Sequence, residues 1–124
     1  PVYYAHPSGR LLSVLDRVFY AGGSAFAHKP GAAVASARRA GTTASVDVLN
    51  KYFTIAQMPV VSSTYWNMVH GNTPEEVLQD AEGMQTMRNL ARNLLWLVQC
   101  IQAGQAAGLQ PPQAERDHRT NFIR

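Results

Sequence analysis

Residues 1–9 read Pro-Val-Tyr-Tyr-Ala-His-Pro-Ser-Gly, and this stretch bears most directly on the fold. Valine and tyrosine favour strands, whereas the Pro-Ser-Gly that follows favours a turn and the start of a helix. The pattern therefore predicts the end of a strand, then a turn that carries two tyrosines and a histidine, and then a helix. This succession is typical of proteins in which strands and helices alternate.

Apolar residues recur at helical spacing in three parts of the chain. The spacing predicts a first helix over 8–21, with Ser8 as its N-cap, and a second over about 44–57. A third, longer helix begins with Thr73 as N-cap and is expected to break near residues 80–83.

Two short apolar runs lie between these helices. Residues 32–37 predict a strand buried on both faces, and residues 58–63 predict the next strand, followed by a loop over 65–71. Strands that alternate with helices indicate a parallel sheet with helices on its faces. Two strands form a poor closed sheet, so the pattern favours the second half of a doubly wound domain over 1–110, followed by a polar tail over 111–124.

Composition excludes several classes of protein. The 124 residues suffice for one domain, and the net charge of +3 comes from scattered basic residues, so no nucleic-acid partner is expected. The single cysteine, Cys100, allows no internal disulfide and fits a reducing, cytoplasmic setting. No apolar run is long enough for a membrane span, and the four histidines lack the spacing of metal ligands, so neither a membrane partner nor a metal is expected.

Three loops contain most of the chemically distinctive side chains. Residues 1–9, 36–43 and 62–71 each follow a predicted strand, and ligands of open α/β sheets bind at the carboxyl ends of the strands. Aromatic rings and polar donors at one edge suit a flat heteroaromatic ligand. The candidates are Tyr3, Tyr4, His6, Arg38, Arg39, Thr42, Thr43, Tyr65, Trp66, Asn67 and His70.

These side chains also have simpler interpretations. Tyr3 and Tyr4 can pack against the sheet, and His6 beside Pro7 is typical of a surface turn. The arginine pair in the second loop can be solvated, and the aromatic pair in the third loop can pack against the last helix.

A resemblance to a known family favours the ligand-binding interpretation of these side chains. Residues 1–19, PVYYAHPSGRLLSVLDRVF, resemble a signature of the NAD(P)H-dependent FMN reductase family, in which SPVYY is followed by SG and LDR. SARRAGTTASVDVLNKYF resembles the second flavin loop of that family and the helix after it, and VVSSTYWNMVHG resembles its third loop. AEGMQTMRNLARN and the closing TNFIR resemble its final helix and C-terminus.

The resemblance implies a flavodoxin-like fold, a doubly wound parallel sheet in three α/β/α layers with strand order 2-1-3-4-5. Residues 1–4 would end the third strand, so the N-terminal strands and the phosphate-binding loop would be missing from this chain. The implied activity is hydride transfer from NAD(P)H to bound FMN and on to a quinone, a flavin or another small acceptor. Members are commonly homodimers or homotetramers, and this polypeptide alone is expected to bind FMN poorly and to be inactive.

The resemblance also assigns parts of the site. Loop 1–9 would wrap the isoalloxazine ring with backbone N–H groups, the second loop would border the flavin or the nicotinamide nucleotide, and an arginine would meet the 2′-phosphate of NADPH. Gly41 would allow a close backbone approach, and the third loop would close the site. The implied cofactor-binding residues are Pro1, Val2, Tyr3, Tyr4, Ala5, His6, Ser8, Ser36, Arg38, Arg39, Gly41, Thr42, Tyr65, Trp66, His70 and Gly71.

No residue is assigned a catalytic role, because hydride transfer to a flavin needs no acid–base side chain. Two other functions on the same fold stay open. One is a non-enzymatic flavodoxin-like electron carrier or flavin-binding interaction module, which would bind FMN without oxidising NAD(P)H. The other is a purely structural or interaction module that has lost the flavin.

Overall fold

The chain forms a mixed α/β structure with four short strands and four α-helices within residues 1–122, which a computed structural model describes. The predicted family-like C-terminus over 120–124 extends beyond the described residues. The elements in order are β1 Val2–Tyr3, β2 His6–Pro7, α1 Gly9–Gly22, β3 Ala35–Ala37, α2 Thr42–Ile55, β4 Met68–His70, α3 Pro74–Gln79 and α4 Ala81–Ala106, with a short 3₁₀ helix at Gly23–Phe26.

The first two strands form a tight antiparallel hairpin, where the sequence predicted the end of a parallel strand. Tyr3 pairs with His6, and Tyr4 and Ala5 form the two-residue turn between the strands. Both turn residues have positive φ, 49° and 57°, as the turn of a two-residue hairpin requires. The prediction failed because neither residue is a glycine or an asparagine, so the sequence carries no sign of this backbone conformation.

β3 and β4 form a parallel sheet whose register brings their carboxyl ends together. Ala35 lies opposite Met68, and Ala37 lies opposite His70. Met68 and Ala35 are both buried, and α2 covers this face. The coarse prediction of a small parallel sheet with packed helices is confirmed.

The second parallel strand was predicted at the wrong place. Within 58–63 only Val60 pairs, through an isolated parallel bridge to Gly31, and the regular strand is Met68–His70. Residues 62–66 bulge out of the sheet between these two points of pairing, and pairing resumes where the Ala35 N–H donates to the Asn67 carbonyl oxygen at 3.0 Å. The prediction failed because the apolar run at 58–63 has the composition of a strand, whereas the hydrogen bonds that stabilise the bulge come from α4, which is distant in the sequence.

Three side-chain hydrogen bonds attach the bulge to α4. They run from Ser63 Oγ to the Thr86 carbonyl oxygen at 2.7 Å, from Asn89 Nδ2 to Thr64 Oγ1 at 3.2 Å, and from Asn93 Nδ2 to the Ser62 carbonyl oxygen at 2.9 Å. These α4 residues are spaced three and four apart, so they share one face of the helix. The bulge is therefore held against α4 along two turns.

The strand that leads into β3 is buried on one face only, contrary to the sequence prediction. Ala33 and Ala35 are buried, but Val34 between them is 53% exposed. Alternate residues of a strand face opposite sides of the sheet. Within residues 1–122, nothing covers the side of the sheet that Val34 faces.

Capping side chains set the helix boundaries near the predicted positions. Thr73 Oγ1 accepts a hydrogen bond from the Glu76 N–H at 3.3 Å, as expected of an N-cap. The predicted break occurs at Asp80, whose carboxylate accepts from the Gly83 N–H at 2.9 Å and caps α4. Ser8 occupies the N-cap position of α1, but its hydroxyl makes no capping bond within residues 1–122.

Within the same residues, no helix combines the length and the apolar character that a membrane span requires.

Candidate functional site

The second loop and the end of the third meet at the carboxyl edge of the parallel sheet. The Gly71 N–H donates to the Ala37 carbonyl oxygen at 3.1 Å, so the chains leaving β3 and β4 depart side by side. Arg38 and Arg39 follow β3 directly and are exposed there. His70 is the last residue of β4 and is half-buried at the same edge.

The first loop is packed against the second through Gly41. This residue has a φ of 89° and is the N-cap of α2. A Cβ at this position would lie 2.6 Å from Ala5 Cα and 2.9 Å from Val2 Cγ1, which is too close for any side chain. The segment that approaches Gly41 closely is the β1–β2 hairpin, and the predicted role of Gly41 in cofactor binding stays a prediction.

The turn of this hairpin presents free donors and an aromatic ring to solvent. Tyr4 is fully exposed, and Tyr3 and His6 are also exposed. The backbone N–H groups of Tyr4 and Ala5 donate to no acceptor within residues 1–122. Exposed donors beside an exposed ring can bind the polar edge and the face of a planar ligand.

Two residues of the third loop lie elsewhere than the sequence predicted. Tyr65 and Trp66 belong to the bulge that precedes β4, so they do not lie at the carboxyl end of a strand. Both are exposed and form an edge-to-face pair with ring centroids 5.0 Å apart. Of the two, only Tyr65 lines the cleft that also contains His70.

This cleft has a volume of about 310 Å³ and contains an Asp–His pair. The Asp80 carboxylate accepts from the His70 backbone N–H at 2.7 Å, and His70 Nδ1 lies 3.8 Å from the same oxygen. Sequence reasoning identified Asp80 only as a helix break, because the pairing depends on how α4 packs against β4. The residues lining the cleft are Tyr65, Met68, His70, Asp80, Glu82, Gly83 and Thr86.

Hydrogen bonding favours the charged form of Asp80. The N–H groups of Gly83 and then of His70 hold the pKa of its carboxyl below its usual value, although partial burial opposes this shift. A group whose pKa is lowered by folding stabilises the fold above its unfolded pKa, and this stabilisation is lost as pH falls through the folded value.

We therefore expect Asp80→Asn to reduce stability in a pH-dependent way. At neutral pH the substitution should lower the free energy of unfolding by about 1 kcal/mol, because a neutral amide oxygen replaces the charged acceptor of the Gly83 and His70 N–H groups, and hydrogen bonds to charged groups contribute more than those to neutral ones. The difference from the wild type should shrink as pH falls below about 4, where the unfolded carboxyl becomes protonated. Urea unfolding at several pH values measures this, with Asn93→Ala as a control whose effect should not depend on pH. A constant difference for Asp80→Asn would contradict the assignment.

Two other predicted site residues, Thr42 and Ser36, are wholly or partly buried in the fold. Thr42 is buried, and its hydroxyl donates to Met68 Sδ at 3.2 Å, so its side chain packs between α2 and β4. Ser36 is half-buried in β3 opposite Val69. Cys100, the single cysteine of the sequence, is exposed.

The part of the chain that the structure describes contains no group of three or more His, Cys, Asp or Glu side chains able to hold a metal ion. Free backbone N–H groups, an exposed tyrosine and exposed arginines lie near the carboxyl edge of the parallel sheet, and groups of this kind can contact the polar edge and the face of a flavin ring. The role of each residue in cofactor binding stays a prediction.

Comparison with protein families gives one match. The profile of the family described as NADPH-dependent FMN reductase matches residues 1–73, which is more than half of the chain and includes all three loops. No individual curated protein and no solved structure matches. The family consists of oxidoreductases that use a flavin and NADPH, in agreement with the resemblance found in the sequence. The chain belongs to the NADPH-dependent FMN reductase family.

Proposed function

We propose that residues 1–71 form the ring-binding part of an FMN-dependent oxidoreductase site. The observation that carries this proposal is the contact of Gly41 with Ala5 and Val2, which joins the first loop to the second at the carboxyl edge. Ligands of parallel α/β sheets bind at this edge, and the matched part of the chain covers both loops.

The hairpin turn would orient the isoalloxazine ring. The free N–H groups of Tyr4 and Ala5 are suited to its polar edge, because fixed backbone donors cost no reorganisation when they bind a ligand. Tyr3 and Tyr4 would contact an aromatic face. The contact at Gly41 would hold this turn against the loop that follows β3.

The exposed arginines would bind the nucleotide. Arg38 and Arg39 follow β3 and remain unpaired with any carboxylate within residues 1–122. A guanidinium group binds phosphate through two parallel hydrogen bonds, so one of the pair is suited to the 2′-phosphate of NADPH. Tyr65, His70 and Gly71 would border the opposite side of the site.

FMN, when bound, supplies the chemistry by accepting a hydride and passing electrons to a second substrate. The chain binds and orients the reactants and needs no acid or base of its own. We propose a quinone, a free flavin or another small molecule as the acceptor, and a homodimer or homotetramer as the assembly. Weak binding of FMN by this chain alone would keep its steady-state turnover low.

Single-turnover reduction of flavin tests the proposal. With FMN in excess and oxygen excluded, NADPH should bleach the flavin absorbance faster in the presence of the chain than without it. Arg38→Ala with Arg39→Ala should reduce this acceleration for NADPH more than for NADH, because only NADPH has the 2′-phosphate. The matched control is Arg10→Ala, an exposed arginine on α1.

The same experiment separates the alternatives. Flavin spectra perturbed by the chain without faster bleaching would indicate a non-enzymatic electron carrier. Neither perturbation nor acceleration, at any FMN concentration that dissolves, would contradict the proposed function and favour an interaction module.

A further inference from the structure

A cleft of about 560 Å³ lies at the amino edge of the parallel sheet, at the opposite end from the candidate flavin site. We name it the amino-edge cleft. Pro30 and Pro59 line one side of it, where the two parallel segments of the sheet begin to pair. Leu97, Ile101 and Gly104 line the other side, and helical spacing places them on one face of α4. Their spacing gives the cleft a length of about 10 Å along the helix axis.

The C-terminal turn of α4 closes one end of the amino-edge cleft. The Leu109 N–H donates to the Gly104 carbonyl oxygen at 2.9 Å, and the Gly108 N–H donates to the Gln105 carbonyl oxygen at 3.0 Å, which together form a Schellman motif. Gly108 has the positive φ, 87°, that this motif requires. The Leu109 side chain lies over Gly104, where an added Cβ would be 3.4 Å from Leu109 Cδ1. Leu109 is therefore an apolar wall at this end.

Local backbone contacts hold the residues that precede the sheet at the cleft. His28 and Gln57 both have positive φ, 65° and 58°, and the His28 N–H donates to the Gln57 carbonyl oxygen at 3.0 Å. The Lys29 N–H donates to the Phe26 carbonyl oxygen at 3.0 Å, and the Lys29 ammonium group lies 5.9 Å from the centre of the Phe26 ring. His28 and Lys29 are thus placed at the cleft without a ligand, and such preformed clefts are typical of small-molecule sites.

The charge in the amino-edge cleft has one sign. Lys29 lines it and carries a positive charge, and His28 beside it can acquire one, whereas no Asp or Glu side chain among residues 1–122 lines the cleft. Within the same residues, the Lys29 ammonium group makes no ion pair with a carboxylate. The walls on both sides are mainly apolar. An unpaired cation beside apolar walls suits an anion that carries an apolar body.

We propose that the amino-edge cleft binds a carboxylate with an unbranched alkyl chain, such as a medium-chain fatty acid. The carboxylate pairs with the ammonium group of Lys29, which is exposed and therefore lies at the mouth of the cleft. The alkyl chain lies along Leu97 and Ile101 toward Leu109, where it is removed from water. A nucleotide fits less well, because no Phe, Tyr or Trp side chain of residues 1–122 lines the cleft to contact its base.

The single cysteine of the sequence gives a direct probe, because Cys100 is exposed and lines the cleft. Octanoate, kept below its micelle concentration, should slow alkylation of the Cys100 thiol by iodoacetamide by about tenfold or more at saturation, since the bound chain covers the thiol. In the ¹⁵N-labelled chain it should shift the amide signals of residues 27–30 and 97–104 and leave those of 38–41 unchanged. Octylammonium, which has the same chain and the opposite charge, should bind about tenfold more weakly.

Variants test the charge and the wall of the cleft separately. Lys29→Gln should weaken octanoate binding by about fivefold, the scale of one exposed charge pair, whereas Lys51→Gln, at the other lysine of the sequence, should bind as the wild type does. Leu109→Glu should weaken binding by about tenfold or more, because it replaces an apolar wall with a negative charge. The matched control is Leu95→Glu, at an exposed leucine of α4 outside the cleft. Both leucines are exposed, so the fold should tolerate the changes, and circular dichroism checks this.

The proposal is overturned if the Cys100 thiol of the folded chain reacts at the same rate with and without octanoate. Equal binding of octanoate and octylammonium would also overturn it, because the cleft would then recognise an alkyl chain without its charge. A loss of binding in Leu95→Glu equal to that in Leu109→Glu would place the ligand elsewhere on α4. None of these measurements contains flavin, so their outcome is independent of the proposed oxidoreductase function.

Discussion

Gly41→Ala should separate the first loop from the second and abolish any flavin response of the chain. The new Cβ would lie 2.6 Å from Ala5 Cα, and this contact involves backbone that cannot swing away. Positive φ adds a further cost, because an L-residue in this region is strained by about 1–2 kcal/mol. With the overlap included, we expect the free energy of unfolding to fall by about 2–4 kcal/mol.

Gly108→Ala is the matched control for this substitution. Gly108 has a similar φ of 87°, but a Cβ there meets no atom within 4 Å. Urea unfolding of both variants therefore separates strain from close approach, and only Gly41→Ala should lose the flavin-induced chemical shifts. Equal losses of stability in the two variants would show that the contact between the loops contributes nothing.

Gly71→Ala should disrupt the junction between β4 and α3. A Cβ at Gly71 would lie 2.5 Å from the Val77 backbone nitrogen and 2.9 Å from the Glu76 carbonyl carbon. Since both atoms belong to the backbone of α3, the helix must move away from the end of the strand. We expect a loss of about 2–3 kcal/mol in the free energy of unfolding, as in other overpacked sites.

The same displacement should alter the environment of His70. The histidine precedes Gly71 directly and donates its backbone N–H to Asp80, so its amide signal should shift strongly in Gly71→Ala. The control is Gly104→Ala in α4, where the nearest atom to the new Cβ is Leu109 Cδ1 at 3.4 Å. This control should gain about 0.5–1 kcal/mol from helix propensity. A stable Gly71→Ala variant with an unchanged His70 signal would contradict the packing at this junction.

Local sequence patterns predicted the helices well. The first two predicted helices, over 8–21 and 44–57, correspond to Gly9–Gly22 and Thr42–Ile55. Helical periodicity extends over several turns, and side chains such as Thr73 mark the ends through bonds to nearby residues. Information of this kind is contained within a few neighbouring residues.

Features that depend on distant contacts were not predictable in the same way. The bulge over 62–66 depends on hydrogen bonds to α4, more than twenty residues away, such as the one that Ser63 Oγ donates to the Thr86 carbonyl oxygen. The pairing of His70 with Asp80 depends on the packing of α4 on β4. The sequence placed three loops at the carboxyl edge of the sheet, but it did not predict the displacement of Tyr65 and Trp66 from that edge, and the role of the loops in binding stays a prediction.

The most direct test of the central claim is the response of the amide signals of the ¹⁵N-labelled chain to FMN. Chemical shifts report weak binding residue by residue, so the test remains valid when affinity is low. We predict that FMN at its solubility limit shifts signals of residues 3–6, 38–41 and 70–71, and that riboflavin shifts the same set because these residues contact the ring. Shifts confined to α1 or α4, or no shifts with either flavin, would contradict a ring-binding site at the carboxyl edge of this sheet.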